Sequence, residues 1–179
     1  MKILILILLL AGCSNPCDVA PEIKYFPKEE IQHKEGLNSG WFYGEFVTER
    51  ERLNLAVDPT RAVIHHTATS RDMTVEEIRT YHVDVRGWDD IGYHFYINKE
   101  GIIYKARPLT KKGAHAKGRN HLVGICLSGY SSFTPQQIDA LRVLLKALRT
   151  KHIEPHHEKC PGKGFDFELE NSLLDKENI

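Results

Sequence analysis

The sequence predicts a single α/β domain in which helices flank a central mixed β-sheet. Two short apolar runs, Ala62-Val63-Ile64-His65 and Leu122 to Leu127, have the length and composition of buried strands. Two helix-start signatures accompany them, Thr74-Val75-Glu76-Glu77 and Thr134-Pro135-Gln136-Gln137. Residues 92–106 read as a hairpin. Strands separated by helices in this order pack as one covered sheet.

Each element has its own reason. Met1-Lys2 carries one positive charge and Ile3 to Leu10 is an unbroken apolar run. The run is too short for the roughly 20 residues of a membrane helix and reads as a secretory h-region. It ends Leu10-Ala11-Gly12-Cys13, which resembles a bacterial lipoprotein signal. That implies removal of residues 1–12, a diacylglycerol on Cys13, and membrane attachment through this lipid. Ser14 then implies an outer-membrane protein of the cell envelope facing the periplasm. Residues 13–40 hold Pro16, Pro21 and Pro27 without sustained periodicity and read as a tether and loosely packed arm. Trp41-Phe42-Tyr43 is expected to open the compact domain, residues 41–179.

Within that domain, the capping box at Thr74 starts a helix expected to run to about Val85. Asn98-Lys99-Glu100-Gly101 supplies the turn of a hairpin whose arms are Gly92 to Asn98 and Gly101 to Ala106. Ile138, Leu141, Leu144, Leu145 and Leu148 recur at helical spacing after Thr134 and form one core face. Ile153-Glu154-Pro155 is a short extended piece leading into His156, and a last short helix follows Phe165-Asp166-Phe167. His65 and His156 thus fall at strand ends, where loops gather functional groups on a rigid edge.

Composition narrows the function. The chain of 179 residues has 24 basic and 24 acidic side chains, so nothing calls for nucleic acid. The length suffices for a core without disulfides, and Cys17, Cys126 and Cys160 show no framework spacing. Cys126, inside an apolar strand, is expected to pack as a small hydrophobe. Ten histidines are many, and two adjacent pairs, His65-His66 and His156-His157, point to metal. Four pieces read together as one zinc site: the strand ending His65-His66-Thr67-Ala68, Gly92-Tyr93-His94-Phe95, Gly113-Ala114-His115, and His156-His157-Glu158-Lys159-Cys160-Pro161-Gly162. Two histidines and a cysteine would leave one corner of a tetrahedron open, as in catalytic zinc sites.

In this order the motifs resemble the zinc-dependent N-acetylmuramoyl-L-alanine amidases of the phage lysozyme and peptidoglycan-recognition-protein superfamily, over roughly residues 60 to 170. The resemblance implies a mixed sheet flanked by helices, Zn2+ as cofactor, and peptidoglycan or a muropeptide as substrate. The bond implied joins N-acetylmuramic acid to L-alanine of the stem peptide. His65 matches the first zinc ligand, Cys160 the third, and Tyr93 the catalytic tyrosine. The sequence departs from the family at the second ligand, because only four positions separate His156 from Cys160. Counting back the family's longer loop reaches His152, at the end of the predicted helix and facing the wrong way, whereas His156 follows the extended Ile153-Glu154-Pro155, so His156 is preferred with His157 and His152 as alternatives. The family's catalytic lysine is displaced likewise, and Lys159 is its candidate here. His115 and Asn120 match residues lining the substrate groove. His66 and His94 neighbour catalytic positions, and they are assigned to the substrate side or to the support of a ligand. The chain is expected to act as a monomer. The rival is a recognition module that binds peptidoglycan without cutting it, which typically lacks the cysteine. A stem-peptide peptidase is disfavoured, since the chain has no His-Glu-x-x-His motif.

Overall fold

The computed structural model describes residues 23–25 and 47–177. Ten elements follow one another: β1 (Ile23–Tyr25), α1 (Glu49–Arg52), β2 (Asp58–His66), α2 (Val75–Thr80), β3 (Phe95–Ile97), β4 (Ile103–Lys105), β5 (Leu122–Leu127), α3 (Pro135–Leu148), β6 (His152–Pro155) and α4 (Phe167–Glu177). The strands form one mixed sheet in the order β1-β4-β3-β5-β2-β6. Only the β3–β4 hairpin is antiparallel; β1–β4, β3–β5, β5–β2 and β2–β6 are parallel. The predicted α/β class, with one mixed sheet and flanking helices, is the fold observed.

The two faces of the sheet take different partners. Ile64, Phe95, Ile97, Ile125 and Leu127 pack with Leu141, Leu144, Leu145 and Leu148 of α3, all nearly inaccessible. Leu174 of α4 joins the same cluster. On the other face, Tyr96 and Cys126 meet Val75 and Ile78 of α2. Pairing His65 opposite Cys126 places His65 on that second face, under α2 rather than α3. β6 closes one edge, where Asn171 donates to and accepts from the backbone of Ile153 (3.0 and 2.8 Å). An edge strand so covered offers little to another chain.

Both capping boxes form: Thr74 with Glu77, and Thr134 with Gln137. The structure differs from the sequence reading in three places. The helix expected to reach Val85 is α-helical only to Thr80; Tyr81–Val85 forms a π-turn in which the Arg86 N–H reaches the Tyr81 carbonyl (3.1 Å). One extra residue in that turn rotates His82 inward, to 6% exposure. The arm read as a tether and loosely packed contributes β1, a three-residue strand too short for any periodicity to reveal. His152 lies not at a helix end but at the start of β6, where it is exposed. Cys13, Cys17 and the Trp41-Phe42-Tyr43 cluster lie outside the described residues.

Candidate metal centre and catalytic site

Register brings the first two candidate ligands together. β2 and β6 run parallel with Ile64 opposite Pro155, so the next residues, His65 and His156, emerge side by side. The His156 N–H continues the ladder onto the Ile64 carbonyl (3.2 Å), and the two imidazole centroids lie 4.5 Å apart. A tight turn brings the third. His157 and Cys160 exchange backbone hydrogen bonds (3.2 and 2.9 Å), and the Lys159 N–H donates to His157 Nδ1 (3.1 Å). That turn folds Cys160 back beside His156 although four positions separate them. One ligand atom each from His65, His156 and Cys160 then lies within 4.8 Å of the others. His152, four residues along an extended strand, is about 13 Å upstream of His156 and takes no part in this group. His157 is exposed, and its Nδ1 serves the turn.

Burial is graded across the group: His65 and Cys160 are buried and His156 is half-buried, so the site opens on the His156 side. Burial, with His115 and His156 nearby, pushes the His65 pKa well below the usual histidine value. Burial and His157 lower His156 as well. Both rings therefore present neutral lone pairs at neutral pH. Burial raises the Cys160 thiol while His66 opposes the shift. His66 Nδ1 lies 3.5 Å from the Cys160 sulfur, and its ring stacks on the exposed Tyr130.

Tyr93 stands beside His65, with ring centroids 5.0 Å apart, and packs against the Val75–Ile78–Tyr96–Cys126 cluster. Burial, then the sulfurs of Cys126 and Cys160, push its pKa well above the usual tyrosine range. The phenol consequently stays protonated and can donate. Cys126 packs as the small hydrophobe its strand suggested, in the cluster against which Tyr93 lies.

Two expected substrate-facing residues, His94 and His115, are corrected. His94 is wholly buried: its Nδ1 accepts the Gly124 N–H (2.9 Å) and its Nε2 donates to the Lys111 carbonyl (3.1 Å). His115 is 7% exposed, with one nitrogen on the Leu122 carbonyl and the other on His65. Asn120 commits its Oδ1 to the His115 and Ala116 N–H groups, both at 2.9 Å. His94 and His115 hold the protein rather than meet a ligand, because both nitrogens of each ring have internal partners, whereas half-buried Asn120 commits only its Oδ1. Lys159 is exposed at the tip of the His157–Cys160 turn, tied there by its backbone.

Sequence reasoning missed Arg119. Its guanidinium donates to Glu154 Oε1 and the Pro155 carbonyl (both 2.9 Å) and to the His156 carbonyl, so it clamps the end of β6. Glu154 is held in turn by Arg61 (2.7 Å). Nothing local marks Arg119, whose partners all lie more than thirty positions away.

Residues 56–163 match the protein family described as N-acetylmuramoyl-L-alanine amidase. The endolysin of Escherichia phage T7 is 38% identical over 121 residues, 59% of this chain and 80% of the phage protein. The solved N-acetylmuramoyl-L-alanine amidase LysC from Clostridium intestinale is 30% identical, with a TM-score of 0.63 over 87% of this chain and 99% of that one. Peptidoglycan recognition protein LE, solved with tracheal cytotoxin, a monomeric diaminopimelic acid-type peptidoglycan, is 26% identical. Its TM-score is 0.57 over 66% of this chain and 81% of that one.

Proposed function

The chain belongs to the N-acetylmuramoyl-L-alanine amidase family, and we propose that it is a zinc-dependent peptidoglycan hydrolase cutting the amide between N-acetylmuramic acid and L-alanine. The observation that carries this reading is the convergence of His65, His156 and Cys160 within 4.8 Å of one another, beside Tyr93. Two imidazoles and a thiolate are a donor set zinc favours, and bonds of about 2.0 Å to nitrogen and 2.3 Å to sulfur fit within that envelope. Bound there, zinc supplies a Lewis acid for the scissile carbonyl and makes water a competent nucleophile near neutral pH.

The protein's own groups do the rest. His65 and His156 offer lone pairs already free of protons, since burial disfavours their charged forms. A coordinating thiol gives up its proton, and His66 Nδ1 then offers the Cys160 sulfur a hydrogen bond. Tyr93, kept protonated by burial, donates to the carbonyl oxygen as negative charge develops on it. Lys159 supplies a cation on the same turn as Cys160.

The test uses the full chain in mild detergent, loaded with zinc and incubated with a defined muramyl peptide carrying a diaminopimelate stem. Mass spectrometry should show free stem peptide, lost with a chelator and in Cys160→Ser and His156→Ala. Retention of activity in Cys160→Ser would sink the metal assignment. Binding of intact peptide without cleavage would favour a recognition module instead.

The Leu10-Ala11-Gly12-Cys13 motif supports a lipid-anchored envelope protein. Cells fed labelled palmitate should mark the wild-type chain but not Cys13→Ser, and equal labelling of both would overturn the anchor.

A further inference from the structure

We propose that His115 is a positioning residue that fixes the tautomer of His65 and thereby dedicates His65 Nδ1 to the metal. The inference rests on the zinc amidase reading and deepens it.

The argument is one of proton placement. A backbone carbonyl can only accept, so the His115 Nε2 that lies 3.1 Å from the Leu122 oxygen carries a hydrogen. A neutral imidazole has one N–H, which leaves a lone pair on His115 Nδ1. His65 Nε2 lies 3.0 Å from that lone pair, so the hydrogen of this contact belongs to His65. One His65 nitrogen belongs to the group with His156 and Cys160, and with Nε2 engaged by His115 the bare nitrogen left for it is Nδ1. The alternative is a charged His115. It would donate through Nδ1 and drive the His65 proton onto the ligand nitrogen, abolishing the site. At 7% exposure, with no carboxylate among its contacts, that charge would be uncompensated.

The slot is built to hold this one orientation. The His115 ring lies between Gly113 and Gly124, and a Cβ on either glycine would overlap it. Its loop is pinned by Asn120 Oδ1, which accepts from the backbone of His115 and Ala116. Behind it His94 packs edge-on, with ring centroids 5.7 Å apart and both nitrogens occupied by backbone, so His94 cannot replace it. The Leu122 carbonyl is itself fixed, because Leu122 begins the central strand β5. A chain of backbone carbonyl, imidazole and imidazole thus anchors the ligand to the sheet. Outer partners of this kind typically change metal affinity by 10- to 100-fold on removal.

The full chain in detergent, metal-free and labelled with nitrogen-15, provides the test. Long-range proton–nitrogen spectra of the imidazoles should show His65 and His115 both as Nε2–H tautomers near neutral pH. In His115→Ala, His65 should become a tautomer mixture, and zinc affinity, measured by competition with a chromogenic chelator, should fall on the order of 10- to 100-fold. His115→Gln, whose amide can accept from His65 and donate to Leu122, should recover most of that affinity. An Nδ1–H tautomer of His65 in the wild-type protein would overturn the proposal, whether or not the variants fold. Unchanged zinc affinity in a folded His115→Ala would overturn it too, and would leave the amidase reading intact. Correct tautomers and tight zinc binding without muramyl-peptide cleavage would sustain the relay while removing the amidase reading.

Discussion

Tyr93 shows how a side chain acquires a role from what surrounds it. The ring is braced between two imidazoles, His65 at 5.0 Å and His82 at 5.3 Å. His82 is held by the Gly92 N–H donating to its Nδ1 (3.1 Å). Burial keeps the phenol protonated far above neutral pH, so its one proton is available for donation throughout the working range. Removing a single preorganised donor to a developing oxyanion typically costs about 10²- to 10³-fold in kcat. Tyr93→Phe should therefore lower kcat by roughly that factor, with zinc stoichiometry and KM little changed. Steady-state kinetics alongside metal analysis would check it. Near-normal turnover would reduce Tyr93 to a packing residue. Tyr93 and Cys160 are legible because their motifs are local: Gly92-Tyr93-His94 and Cys160-Pro161-Gly162 are each a few residues long. Arg119 and the true employment of His115 are not, since both depend on atoms that only the folded sheet brings near.

At the scale of elements, what the sequence reveals is what a single segment decides for itself. The two capping boxes and β5 follow from local hydrogen bonding and unbroken burial, and they appear where expected. The turn at Asn98 to Gly101 follows from Gly101, whose φ of 81° suits the left-handed corner of the hairpin. Features that need a partner stay hidden. The π-turn at Tyr81–Val85 has the composition of ordinary helix; it exists because His82 gains a buried seat against Trp88 and Tyr93. β1 has three residues and is a strand only because β4 offers it an edge. Choosing among His152, His156 and His157 likewise needed the β2–β6 register, which aligns Ile64 with Pro155. Strand alternation turns His66 to the opposite face of β2 from His65, yet the Cys160 turn comes round to meet His66 from its own side.

Over the whole molecule, burying histidines as neutral rings gives stability a pH dependence whose window can be stated. His82 and His94 are each 6% exposed or less, and burial, reinforced by nearby arginines, lowers both pKa values from 6.5 to about 4. Above about pH 7 neither the folded nor the unfolded chain protonates them, and they contribute no slope. As pH falls through 6.5 the unfolded chain takes up protons that the folded one refuses, so stability declines until the folded rings titrate near 4. Each ring costs about 1.4 kcal/mol per pH unit in that window, about 3 kcal/mol in all. Glu51 and Glu154, held below the ordinary 4.5 by lysine and arginine partners despite burial, add to the loss only at the acid end of this window. Urea unfolding of the metal-free protein should therefore give a stability flat above about pH 7 and falling between about pH 6 and 4 by roughly 2–3 kcal/mol per unit from His82 and His94 alone, with His65, His115 and His156, also held low by burial, steepening the fall. Proton spectra should keep the His82 and His94 ring signals at neutral positions until the pH approaches about 4. A flat profile through that window would mean the two rings charge in place, and their backbone hydrogen bonds would then have to be redrawn.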